Sequence, residues 1–149
     1  MSPVQTRHPR SRVGAAAVAP VRRIPREATS PRRQKIIVPP GAEIGLDPGL
    51  IAGIAEKIAR RFNPVRIVLF GSRARGDARP DSDVDLFVEM ESKFDQYERS
   101  AQVDQLFARR NWSLDVIVYT PQEVKKAIRQ AGFVIDAIDE EGKVLYVRQ

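Results

Sequence analysis

The chain has 149 residues, 42% hydrophobic, 30% charged and 7% aromatic, with no cysteine, His8 as its single histidine, a net charge of +6 and a pI near 10.1. At roughly 100 to 200 residues per domain, this length excludes two full-sized domains and leaves one domain, or one domain with a tail. No apolar run approaches the ~18 residues of a membrane span, and disulfides, thiolate zinc sites, cysteine nucleophiles and imidazole chemistry in a folded pocket are excluded, so a soluble, cytoplasmic protein is expected.

The charge is unevenly placed. Met1 to Pro40 has Glu27 as its only acid and nets +8, and the remainder nets −2. The first stretch holds Pro3, Pro9, Pro20, Pro25, Pro31, Pro39 and Pro40, few large apolar residues and no sustained period. That composition predicts a disordered basic arm over residues 1–43, with the folded domain over 44–149. Three readings of the arm stay open: contact with nucleic acid or an acidic partner, a transit peptide whose helix the prolines would interrupt, and an extension without function or a start placed too far upstream.

In the folded part, Asp47 followed by Pro48 reads as an N-cap with proline at the first helical position, and Leu50, Ile51, Ile54, Ala55, Ile58 and Phe62 recur at helical spacing until Asn63-Pro64. Val65 to Phe70 is a β-branched and aromatic run that fits a strand buried on both faces. A short helical turn from Ser72 and a polar loop around Pro80 lead to a second strand over Asp83 to Met90. Phe94, Tyr97, Ala101, Leu106 and Phe107 predict a helix closing near Arg110, and Leu114 to Tyr119 a third strand. Thr120-Pro121-Gln122-Glu123 is a capping box opening a helix that ends at Gly132. A further helical turn over Phe133 to Ile138 and a last strand over Lys143 to Val147 complete the pattern. Strands alternating with helices predict a small α/β (α+β) domain on one mixed sheet.

Chemistry concentrates between Leu69 and Val88. Gly71 directly follows a strand and lets another group approach its backbone, while Ser72 adds a hydroxyl and an amide at the start of a turn, an arrangement suited to phosphate. Asp83 and Asp85, two residues apart on a predicted strand, project from one face and repel unless a cation sits between them. Hard oxygen ligands without histidine or cysteine favour Mg²⁺. Asp115 is a third acid in the apolar run Leu114-Asp115-Val116-Ile117-Val118, and it would join the pair if the third strand lay beside the second. Three carboxylates around two Mg²⁺ ions suit in-line displacement at phosphorus. Gly71 and Ser72 would grip the β and γ phosphates, Asp83 and Asp85 would hold both ions, and Asp115 would ligate the ion beside the nucleophile and assist its deprotonation. Arg73 could pair with the triphosphate or simply be solvated. Asp77, Asp81, Arg75 and Arg79 read as loop residues, Trp112 and Tyr119 as packing residues, and Lys125, Lys126 and Arg129 as a solvated face.

The Gly-Ser pair, ten intervening residues and Asp-x-Asp, with a third acid on a later strand, resemble the nucleotidyltransferase superfamily typified by DNA polymerase β. The wording Gly71-Ser72-Arg73-Ala74-Arg75-Gly76 and the ending Glu141-Gly142-Lys143-Val144-Leu145-Tyr146 resemble its minimal nucleotidyltransferase branch, often called MNT, over about Leu50 to Val147. This resemblance implies a nucleotidyltransferase paired with a HEPN-domain protein as the antitoxin of a toxin–antitoxin pair, with transfer of AMP from ATP to the partner. With no acceptor-binding domain after the core, the acceptor site is expected from a partner or a second copy. The competing readings are a binding antitoxin that neutralises its partner by occlusion, and transfer to a small molecule or an RNA end.

Overall fold

The computed structural model describes residues 35–149. Most of the predicted arm lies outside them, but its last residues are built into the fold. Ile36 and Val38 pack against the core, Ala42 is fully buried, and the Ile37 N–H donates to the Leu145 carbonyl at 3.0 Å. The fold therefore begins earlier than the boundary at residue 44 read from the sequence, because the short apolar run Ile36-Ile37-Val38 is masked there by the two prolines after it.

Helix α1 spans Leu50–Phe62 and buries Ile51, Ile54, Ala55 and Ile58 on one face, as their spacing predicts. Its start differs from the expected Asp47 cap. Gly49 sits at φ 83° in the left-handed region, so Pro48 lies outside the helix. The first amides are satisfied by the Glu43 carboxylate, which accepts from the Gly49 and Ile51 N–H groups at 2.9 Å each. Asn63, also left-handed, ends the helix before Pro64.

Strands β1 (Arg66–Phe70), β2 (Val84–Glu89), β3 (Leu114–Tyr119) and β4 (Lys143–Val147) form one mixed sheet in the order β3-β2-β1-β4. β1 runs antiparallel to both β2 and β4, and β2 runs parallel to β3. The short helix α2 (Ser72–Arg75) follows β1, α3 (Gln96–Gln105) joins β2 to β3, and α4 (Pro121–Arg129) and α5 (Phe133–Glu141) lead to β4. The expected α+β architecture on one mixed sheet is what the chain adopts.

Alternation divides the sheet into two faces. Ile67, Leu69, Val84, Leu86, Val88, Val118 and Leu145 join the main core with α1 and with Val103 of α3. On the other face Val68 and Phe87 pack with Val124 of α4 and with Ile135 and Ile138 of α5. Helix α3 is shorter than its apolar residues suggest. A capping box of Asp95 and Glu98 starts it, and Phe94 and Tyr97 are exposed. The Thr120–Glu123 capping box forms as read, and Glu123 also takes a bidentate bond from the buried Arg99 at 2.8 and 2.9 Å, which ties α3 to α4. Helix α4 ends at Arg129 instead of Gly132, and Phe133 opens a full helix in place of a single turn, with Ile135 and Ile138 buried one turn apart.

Candidate active site

β1 ends at Phe70, and Gly71 turns the chain with φ 69° and ψ −158°, a backbone region essentially confined to glycine. A Cβ at this position would overlap the Asp85 carboxylate. Gly71 is thus required twice, once by its backbone and once by the acid beside it. Ser72 then opens α2, where the first amides have no intrahelical acceptor. The Gly71 carbonyl accepts from the Ala74 and Arg75 N–H groups, and the Ser72 carbonyl from Gly76 and Asp77, which closes the turn tightly.

Asp85 lies opposite Phe70 across the β1–β2 pair and opposite Asp115 across the parallel β2–β3 pair. The adjacency of the second and third strands supposed from the sequence therefore holds, and it sets two carboxylates side by side on the face that α4 and α5 only partly cover. Asp115 is exposed and Asp85 half-buried. Asp83 falls just before β2, where it is exposed. Burial pushes the Asp85 carboxyl up to about 6, and the neighbouring charges of Asp115 and then Asp83 push the same way, against Arg75 and Arg73. Among the described residues no three acidic or histidine side chains close into a complete metal cage. Asp83, Asp85 and Asp115 thus stand less gathered than the sequence suggested. Their donor set nonetheless fits Mg²⁺: the ligands are hard oxygens whose mutual repulsion a divalent ion would relieve, and Mg²⁺ typically needs one or two carboxylates plus water and phosphate oxygens.

Arg73 does not face this site. It is 1% exposed, and its guanidinium donates to the carbonyls of Ser82 (3.0 and 2.7 Å), Ala42 (2.9 Å), Ile44 (2.8 Å) and Pro80 (3.3 Å). These bonds engage all five N–H donors of an arginine. The pairing with a triphosphate considered for Arg73 is corrected accordingly: no donor remains for a phosphate, because the loop and the segment before α1 use them all. Arg75, read from the sequence as a loop residue, instead donates to Glu141 at 3.0 Å and links α2 to the end of α5. Trp112 packs on Phe107 and Tyr119 lies edge-on to Phe87, both in structural roles.

Residues 51–148 match the nucleotidyltransferase domain family. The chain belongs to that family. No curated protein matches it. Among solved structures, a Sulfolobus solfataricus protein classed as a nucleotidyltransferase is 22% identical with a TM-score of 0.48, the match covering 66% of this chain and 78% of that one. A toxin–antitoxin structure determined with AMP-PNP is 23% identical with a TM-score of 0.44, covering 67% of this chain and 76% of that one. In this nucleotidyltransferase the matched region contains the whole Gly71 to Asp115 constellation. It omits Ala42 and Ile44, whose carbonyls hold Arg73. No helix among the described residues is long and apolar enough to cross a membrane.

Proposed function

We propose that this nucleotidyltransferase transfers AMP from ATP to a hydroxyl on a partner protein, with Mg²⁺ held by Asp83, Asp85 and Asp115. The observation that carries the reading is the side-by-side register of Asp85 and Asp115 directly beneath the Gly71 turn. The acceptor oxygen forms a bond to the α-phosphorus while the bond from that phosphorus to the bridging oxygen breaks, and pyrophosphate leaves. Gly71 and Ser72 hold the departing β and γ phosphates through backbone N–H groups. Asp115, exposed beside Asp85, receives the acceptor's proton. Bound between these carboxylates, Mg²⁺ would neutralise the triphosphate and acidify the acceptor hydroxyl.

The acceptor is a HEPN-domain toxin, and the chain is its antitoxin. The support is the resemblance of Gly71-Ser72-Arg73-Ala74-Arg75-Gly76 to the minimal branch, together with a sheet face left open where an acceptor would enter. The test is incubation with α-labelled ATP, Mg²⁺ and the product of the adjacent gene. Label is expected on that protein with the wild type and is expected to vanish in the Asp83→Ala/Asp85→Ala double variant. Label that persists in the double variant overturns the mechanism, and label released only on a small molecule or an RNA overturns the assigned acceptor.

A further inference from the structure

The loop that enters β2 is held from behind by a clamp that the sequence does not reveal. Its residues Pro80 and Ser82 give their carbonyls to Arg73 of α2, and Arg73 also grips Ala42 and Ile44 before α1. Next to that guanidinium, Gly45, at φ 75°, approaches Pro80 so closely that a Cβ would overlap the proline's Cα and carbonyl oxygen. Ser82 adds a local tie, its hydroxyl accepting from the Arg79 N–H at 2.8 Å. Two neighbouring stretches, α2 and the loop over 80–82, and one distant stretch before α1 therefore meet on one side chain, and each bears on the site. Helix α2 starts at the Gly71–Ser72 turn, the loop ends at Asp83, and the 42–45 segment braces both.

We infer that Arg73 is a positioning residue, which together with the Gly45–Pro80 contact fixes Asp83 relative to the Gly71–Ser72 turn without touching the nucleotide. This rests on the nucleotidyltransferase reading of the site. A lysine in its place keeps the charge but supplies a point donor on a flexible stem, which cannot reproduce five bonds in a fixed fork. Geometry and charge are thereby separable. The clamp also makes residues 42–45 part of the site's scaffold, although they lie at the edge of the stretch whose composition reads as an arm.

Two measurements on the full chain test the inference. In metal-free protein, amide hydrogen exchange over residues 79–84 is expected to be slow in the wild type and at least about tenfold faster in Arg73→Lys, with Ile67–Leu69 of β1 unchanged. Affinity for Mg²⁺ with AMP-PNP is expected to fall about tenfold or more, as when a supporting partner of a metal site is lost. A general structural role would accelerate exchange in β1 as well. Unchanged exchange at 79–84 in Arg73→Lys, fast exchange there in the wild type, or acceleration shared equally with β1 overturns the clamp. Should Arg73→Lys not fold, Gly45→Ala attacks the same contact from the opposite side and carries the same two expectations. A wild type that does not bind Mg²⁺ with AMP-PNP would instead overturn the nucleotide reading, and the exchange data would still decide the clamp.

Discussion

The two faces of the sheet use the same strands for opposite ends. In β2, Val84, Leu86 and Val88 point into a core closed by α1 and α3, while Asp85 between them points to a face that α4 and α5 cover only in part. One face gains stability from complete burial. The other keeps a half-buried carboxylate beside two more acids, an arrangement that costs stability until something positive arrives. The contrast shows how a small domain separates a packed face from a charged one at single-residue spacing.

The sharpest way to break this contrast is to substitute neighbours on β2. Asp85→Asn is expected to lower nucleotidyl transfer by more than about 100-fold, since even outer partners of a metal site are worth about 10- to 100-fold, and to leave the melting temperature unchanged or raised. Leu86→Ala is expected to destabilise the fold by about 2–5 kcal/mol, and in the fraction that stays folded the Mg²⁺ dependence of transfer should match the wild type. Melting curves and Mg²⁺ titrations of both variants check this, and a large loss of stability in Asp85→Asn would erase the separation of faces.

A smaller effect is expected with pH. The Asp85 carboxyl is raised from 3.8 to about 6, so the folded state holds a proton that the unfolded state has released across that interval. Its contribution to metal-free stability is therefore greatest at the acid end and declines as pH rises through about 6. Other groups run the opposite way; Arg99 holds the Glu123 carboxyl below its ordinary value of 4.5, so its contribution is present above that value and is lost as pH falls below it. The diagnostic quantity is the difference between wild type and Asp85→Asn in denaturation midpoint against pH, which should change between about 4 and 6 and level off beyond. Mg²⁺ affinity should move oppositely and strengthen as Asp85 loses its proton. The smallest effect belongs to Glu141→Gln, which breaks an exposed pair with Arg75. No measurable change in melting temperature is expected, and a transfer defect there would extend the active face to the end of α5.

Much of this arrangement is legible in the amino-acid order because it is locally encoded. The run Leu114–Tyr119, the Thr120–Glu123 box and the glycine before Ser72 each carry their own signal, and the period of two places Asp85 opposite the core side of β2. What stays hidden depends on partners that no local period reveals. Glu43 replaces the expected Asp47 cap by reaching forward to Gly49 and Ile51. Arg73, beside the Gly71–Ser72 turn, looks suited to an anion until the carbonyls of Ala42 and Ile44 are seen to occupy it. Phe94 and Tyr97 fit a helical period yet remain exposed: Phe94 precedes the Asp95 cap, and Tyr97 sits in the first turn of α3 on its solvent side.

The strand order also sets which pairings join neighbouring stretches of chain and which join distant ones. β1 pairs on one side with β2, which follows within a short stretch of chain, and on the other with β4, the last strand of the domain. Closing the nearer pair, which brings the turn at Gly71 beside the carboxylate of Asp85, costs less loop entropy than closing the farther one. The seam between Ile37 and Leu145 can form only after almost the whole domain has been synthesised. On a ribosome, the corner of Gly71 and Asp85 can form before that seam closes.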